Sequence, residues 1–272
     1  MTNIVAFQGE RGAYSELAAH AYFGDDITAV PSESFEDVFN IVSAKHVEYG
    51  IVPIENSTHG DVEAVFDLLL RNDLSVIGEY KLPVEHALIG HPDATLDSIN
   101  EIYSHPQALG QCAEFLKTQS AAIIATYDTA GSAKKIAEEQ LTNAAAIASE
   151  QAADHWGLKI LGSNIQDLAH NATRFFVISK EPVRKTGNKT SLIFGVKHEP
   201  GSLFSAIEEL GKHNINLTKL VSRPSREKPW EYFFFLDFEG SLDNPQITES
   251  IENMKSHTMD LKILGCYEKH DG

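Results

Sequence analysis

At 272 residues the chain exceeds one typical domain and falls short of three, so two domains are expected. With 42% hydrophobic and 22% charged residues, its composition excludes disordered, collagen-like and coiled-coil readings. A formal net charge of −17 repels phosphate backbones and anionic lipid, so neither nucleic acid nor a membrane surface is expected as a partner.

From residue 3 to about residue 180, short apolar runs rich in β-branched residues alternate with helical patterns, the signature of an α/β fold with a largely parallel sheet. Residues 4–8 form the first strand, and the helix after it runs over about 14–22 and stops at Gly24. A strand over 27–30 leads to Ser34, whose spacing to Asp37 suits a capping box at the start of a helix over 35–44. A third strand covers 50–54, followed by a helix over 62–70. Segments 74–82 and 86–90 are strand-like with no helix between them, so the chain is expected to cross there into a second lobe.

In that lobe, 101–104 feeds a helix that opens at Pro106, where proline suits the first helical position. Residues 122–127 feed a helix after Asp128 and Thr129, and 144–148 feed one after Ser149 that ends near Gly157. A final strand over 173–179 is expected to return to the first lobe. Residues 180–189, KEPVRKTGNK, are polar and basic with proline and glycine, and read as a linker. Beyond it come a strand (190–197), a helix (202–213), strands 217–223 and 232–238, a helix (246–257) and a strand (261–267). That is the βαββαβ order of a ferredoxin-like domain, and Leu203, Ile207 and Leu210 share one face of its first helix.

The two cysteines, Cys112 and Cys266, are far apart, as in a reduced intracellular protein, and Cys112 sits inside an apolar helical pattern that makes it a buried hydrophobe. No basic segment precedes an apolar stretch at the N-terminus, and no apolar run approaches the roughly 18 residues of a membrane span, so a cytoplasmic protein is expected. The chain has no GxxxxGK[ST], no GxGxxG after a strand, no HExxH and no CxxC, and no ligand cluster at metal spacing, so no metal is expected. Gly9 and Gly12 read as a tight strand-to-helix connection.

In open α/β sheets ligands bind beyond the C-terminal strand ends, and here those positions are polar. They include residues 8–15, then Glu55, Asn56, Ser57 and Thr58, then Ser104, His105 and Gln107, then Asp128 and Thr129, and Asn171 with Thr173. Hydroxyls, amides and helix N-termini of this kind bind carboxylates and hydroxyls. Taken one at a time, these residues read as helix caps, and His59, His86, His91, His105 and His170 have two readings, a catalytic acid or base and, more commonly for a lone loop histidine, a surface hydrogen-bonding group. PIENSTHGDV, residues 53–62, carries more polarity than one cap needs.

Together GERGAYSELAA (9–19), PIENSTHGDV, YSHPQALGQC (103–112), DTAGSAKKIA (128–137), IASEQAA (147–153) and NATRF (171–175) resemble prephenate dehydratase, in order and across both lobes. PGSLFSAIEEL (200–210) and LVSRPSR (220–226) resemble the ACT regulatory domain that follows it in that family. The resemblance implies a two-lobed catalytic domain like type 2 periplasmic binding proteins over 1–182 and a ferredoxin-like ACT domain over 188–272. It implies conversion of prephenate to phenylpyruvate with loss of carbon dioxide and water, without a cofactor, because ring aromatisation supplies the driving force.

The family pattern puts Thr173 at the reacting centre, matches Glu55, Asn56, Ser104 and Gln111 to other catalytic positions, and places Ser57, Thr129 and Arg174 nearby as substrate-binding residues. Arg174 has two readings, a partner for a substrate carboxylate or for a neighbouring acid. For the effector, phenylalanine, the resemblance implies Gly201, Ser202, Leu203, Phe204, Ser222 and Arg223, in a dimer or tetramer. Val221 stands where this family usually has glutamate. Arogenate dehydration and non-catalytic sensing of a small molecule are the alternative functions.

Overall fold

The computed structural model describes residues 2–225 and 231–270. Arg226 of the LVSRPSR stretch and the end of the expected ACT domain, 271–272, lie outside them.

The first sheet and its helices begin with β1 (Asn3–Gln8), α1 (Tyr14–Phe23), β2 (Ile27–Ser32), α2 (Phe35–Ser43), β3 (Tyr49–Asn56), the short β4 (Gly60–Asp61), α3 (Glu63–Arg71) and β5 (Ser75–Pro83). Parallel pairing of β1 with both β2 and β3 buries Val5, Ala6 and Phe7 completely, worth about 1.5–3 kcal/mol for each large side chain. The Ser34–Asp37 capping box that opens α2 is present, and Gly24 closes α1 at φ +87°.

The second lobe contains β6 (Ala87–Gly90), β7 (Glu101–Ser104), α4 (Pro106–Gln111), α5 (Ala113–Lys117), β8 (Ala122–Ala125), α6 (Thr129–Glu138), β9 (Ala144–Ala148), α7 (Glu150–Trp156) and β10 (Lys159–Gly162). Its strand order is β10-β6-β9-β7-β8. β7 runs parallel to β8 and β9, whereas β6 is antiparallel to both β9 and β10, so this sheet is mixed. The edge strand β10 is an addition to the expected elements; its alternation is too short to stand out from a loop. The helix expected through Cys112 is two helices, broken at that residue (φ −117°, ψ 26°), although Cys112 is buried as expected.

The chain returns in β11 (Ala172–Ser179), which inserts between β3 and β5 to give the order β2-β1-β3-β11-β5. The two crossings are tied together, Val84 N–H donating to the Asn171 carbonyl at 2.8 Å. Across the lobes Gly12 (φ +87°) packs so closely on α7 that a Cβ there would lie 2.6 Å from Ala152 Cα. The Ser149 hydroxyl donates to the Gly12 carbonyl at 2.7 Å, which fixes the tight turn read from Gly9 and Gly12.

The remaining elements are β12 (Lys189–Gly195), α8 (Ser202–Lys212), β13 (Leu217–Pro224), β14 (Tyr232–Glu239), α9 (Pro245–Ser256) and β15 (Asp260–Tyr267). They form a four-stranded antiparallel sheet, β13-β14-β12-β15, whose apolar face packs under α8 and α9 through Leu192, Phe194, Ala206, Leu210, Leu236, Ile251 and Met254. The α/β architecture with a C-terminal ferredoxin-like domain is therefore as expected.

Packing divides the chain differently from the sequence boundaries: one compact unit runs through Val65 and resumes over Tyr80–Phe175, and the second takes Phe66–Glu79 and continues from Phe176. Lys189, read as the end of a basic linker, is instead the first residue of β12 and only 5% exposed. Its ammonium lies 2.9 Å from Glu79 Oε2 and 3.9 Å from Asp237 Oδ2, so a buried cation answers two buried carboxylates.

Candidate active site

A cavity of about 470 Å³ opens in the first unit, walled by Gln8, Tyr14, Phe35, Asn56 and Thr173 from one lobe and by His105, Gln111, Tyr127 and Thr129 from the other. The first residues of α1, α2 and α6 all reach this wall, through Tyr14, Phe35 and Thr129. Their positive dipole ends supply a locally favourable field for an anion in a chain that is strongly acidic overall. Asp128, the carboxylate in the wall, accepts from Gly131 N–H at 3.0 Å and Glu10 N–H at 3.2 Å, which fix its orientation.

Thr173 and Phe175 line the cavity from alternate positions of β11. The Thr173 hydroxyl accepts a hydrogen bond from Asn56 Nδ2 at 3.0 Å. Asn56 also donates to Asn171 Oδ1 at 2.8 Å and to the Ala172 carbonyl at 3.3 Å. Its oxygen accepts from Thr58 N–H (3.0 Å), Thr58 Oγ1–H (2.7 Å) and His59 N–H (3.1 Å). With the amide oxygen saturated by donors, Asn56 must face Thr173 as a donor. The Thr173 hydroxyl therefore keeps its own hydrogen for the cavity.

Gln111 lines the same wall, its Nε2 donating to Thr58 Oγ1 at 3.0 Å and lying 3.0 Å from His59 Nδ1. Its Oε1 is 2.7 Å from Nε2 of His86, a ring only 2% exposed, whose Nδ1 is 2.8 Å from the Tyr14 hydroxyl. Burial pushes the His86 pKa down, partly opposed by the hydrogen bond to Gln111, and burial raises the Tyr14 pKa, so both are uncharged near neutrality. His105 accepts from Gln107 N–H at 3.2 Å, and burial lowers its pKa as well.

The structure brings Thr173, Asn56, Gln111 and Thr129 together and sends the other sequence-selected residues elsewhere. Ser104 is fully buried and donates to the Ile147 carbonyl at 2.6 Å, tying β7 to β9. Ser57 closes a clasp on the backbone, donating to the His170 carbonyl and accepting from Ala172 N–H, both at 3.0 Å. Arg174, between Thr173 and Phe175, projects to the opposite face of β11 and pairs with Glu55 Oε1 at 3.0 Å. Glu55 is thus a neighbouring acid beside it. Tyr14 and Tyr127 are wall residues to which residue-by-residue reading assigned no individual role, and His86 and His105, read there chiefly as surface groups, also line the wall, His86 being buried rather than at the surface. Tyr14 and His105 fall within GERGAYSELAA and YSHPQALGQC, the signal by which they were detectable.

In the second unit a cavity of about 420 Å³ is lined by Gly201, Ser202, Leu203 and Phe204 at the start of α8, with Val196, Tyr232 and Phe234. Gly201 caps that helix at φ +85°. Ser222 and Arg223 lie on β13 outside this lining, Ser222 directly across from the wall residue Phe234 in the strand register, and Arg223 reaches Asp67 Oδ1 at 3.8 Å.

Comparison with known proteins gives a family model described as prephenate dehydratase over residues 5–183 and one described as ACT domain over 190–255. The bifunctional chorismate mutase/prephenate dehydratase of Aquifex aeolicus is 39% identical over 268 residues, covering 97% of this chain and 73% of that protein. Arogenate dehydratase/prephenate dehydratase 2, chloroplastic, of Arabidopsis thaliana is 40% identical over 275 residues, covering 97% and 72%. Among solved structures, the prephenate dehydratase of Arthrobacter aurescens in complex with L-Phe matches with TM-score 0.90 and 27% identity over 98% of this chain and 90% of that one. GqqA, described as a novel type of quorum quenching acylase, matches with TM-score 0.90 and 31% identity over 99% of each chain.

Proposed function

Since the chain belongs to the prephenate dehydratase family and carries that family's catalytic and ACT regions, we propose that it converts prephenate to phenylpyruvate and is inhibited by phenylalanine. The observation that carries the catalytic reading is the Thr173 hydroxyl, held as an acceptor by Asn56 and so available as a donor into a cavity rich in helix N-termini.

In the reaction the bond from the ring to the departing carboxylate breaks, and its electron pair enters the ring as carbon dioxide leaves. The opposite carbon–oxygen bond breaks as the ring aromatises, and the leaving hydroxide takes a proton. Thr173 donates the hydrogen bond that stabilises charge on that oxygen, and solvent restores the net proton. Gln111, Thr129 and the helix N-termini orient the substrate anions. Glu55, Arg174, Ser57 and Ser104 hold the strands and turns that carry these groups, a supporting role that follows from their contacts.

Prephenate is the proposed substrate, ahead of arogenate. Of the two substrates prephenate carries the greater net negative charge, with a keto oxygen where arogenate has an ammonium group, and the helix N-termini at the wall suit it. In the ACT region the glycine-opened helix α8 and the apolar Leu203, Phe204 and Phe234 suit the carboxylate and ring of phenylalanine. The exposed Phe204 and Leu220, and the sheet edges at β13 and β15, support self-association as a dimer or tetramer. Among the described residues no helix is long and apolar enough to cross a membrane. Initial rates with prephenate and with arogenate, following phenylpyruvate and phenylalanine, test the reading: faster turnover of arogenate rejects the prephenate preference, and no turnover of either rejects the catalytic assignment.

A further inference from the structure

His105 stands between the end of β7 and the start of α4, and its half-buried ring lines the active-site cavity. Nδ1 accepts from Gln107 N–H at 3.2 Å, which caps the helix. A backbone N–H can only donate, so Nδ1 is bare and the neutral ring carries its one hydrogen on Nε2. The helix cap thus settles the tautomer without reference to any other side chain. Burial lowers the pKa of this ring, with the charge of Asp128 opposing, so the ring is uncharged near neutrality. Among the described residues no acceptor takes the Nε2 hydrogen. Asp128, close enough to oppose the shift, accepts instead from Gly131 N–H and Glu10 N–H.

We infer that His105 is a substrate-binding residue whose Nε2–H donates to a carboxylate oxygen of the substrate in this cavity. This rests on the function proposed above. With one ring edge turned to the backbone of α4, the opposite edge is the one left for the cavity. There Thr173 and the first residues of α1, α2 and α6 also present donors, so the Nε2–H adds to a wall already suited to an anion. A general acid would need hydrogens on both ring nitrogens, and one on Nδ1 would point at the Gln107 N–H. While the cap holds, the ring supplies a hydrogen bond and no proton, which leaves solvent as the proton source.

Capping and substrate binding are separable at this position. His105→Asn keeps a side-chain oxygen for the Gln107 N–H, asparagine being a preferred N-cap, but is too short to place a donor where Nε2 lies; His105→Ala loses both functions. The asparagine variant is expected to lose about 10-fold or more in kcat/KM for prephenate, chiefly through KM, as for a lost hydrogen bond to a charged group, with a melting midpoint near wild type. The alanine variant should show the same kinetic loss together with a lower melting midpoint. An asparagine variant within about 3-fold of wild type would show that His105 only caps α4 and would overturn the inference, as would a loss confined to kcat. The imidazole ¹⁵N resonances of His105 in the substrate-free wild-type protein give a readout independent of turnover. A hydrogen on Nε2 with Nδ1 bare is expected, and the reverse tautomer overturns the inference. If wild type turns over neither prephenate nor arogenate, the proposed function fails while the nitrogen measurement still decides whether the ring offers an Nε2–H.

Discussion

Replacing Thr173 by valine keeps the β-branched shape that fits β11 and deletes a single oxygen. The structural cost is small because Asn56 Nδ2 retains Asn171 Oδ1 at 2.8 Å and the Ala172 carbonyl at 3.3 Å. One net hydrogen bond is lost, about 0.5–1.5 kcal/mol, so the melting midpoint should fall by only a few degrees, at about 2–4 °C per kcal/mol for a chain of this size. Turnover should fall far more, by roughly 10²-fold or greater, because the donor to the leaving oxygen is gone. That is about 2.7 kcal/mol of barrier, which exceeds the stability change. Thr173→Ser retains the hydroxyl and should stay within roughly 10-fold of wild type, the loss of a methyl contact only. The assay is the initial rate of phenylpyruvate formation at saturating prephenate, with thermal unfolding of each variant alongside. A folded valine variant within about 3-fold of wild type, or a serine variant as slow as valine, would refute the role given to Thr173.

Lys189→Met removes the cation from beside Glu79 and Asp237 and should lower unfolding stability by about 3–5 kcal/mol; a shift below about 1 kcal/mol in urea titration would show that the carboxylates do not depend on it. His86, whose folded pKa is lowered by burial, takes up its proton first in the unfolded chain, so its share of stability is complete above about pH 6.5 and declines as pH falls through that value. Wild type should therefore lose more of its melting midpoint than His86→Gln between about pH 7.5 and pH 5.5, and equal losses would contradict this. Phenylalanine should bind the ACT region and slow turnover through a coupling of about 1–3 kcal/mol; calorimetry paired with initial rates checks both halves, and binding without inhibition would reject the coupling.

Element order was legible because hydrophobic period is a local property of the chain. The capping box at Ser34, the stop at Gly24 and the shared face of Leu203, Ile207 and Leu210 need nothing beyond a few neighbouring residues, and all are present. Thr173, Asn56 and Gln111 were legible as members of motifs. Their partners Ser57, Ser104, Glu55 and Arg174 were equally visible there, yet they turn to backbone or to one another. Adjacent strand residues face opposite ways, and which face meets the cavity depends on pairing with strands distant in sequence. The same limit hid His86 and Lys189. A histidine before a strand and a lysine at the end of a basic run look like surface residues until the fold brings Gln111 and Tyr14 to one and Glu79 and Asp237 to the other. Burial and partner are long-range quantities, set when segments from 25 to 110 residues apart pack together, and no window of neighbouring residues contains them.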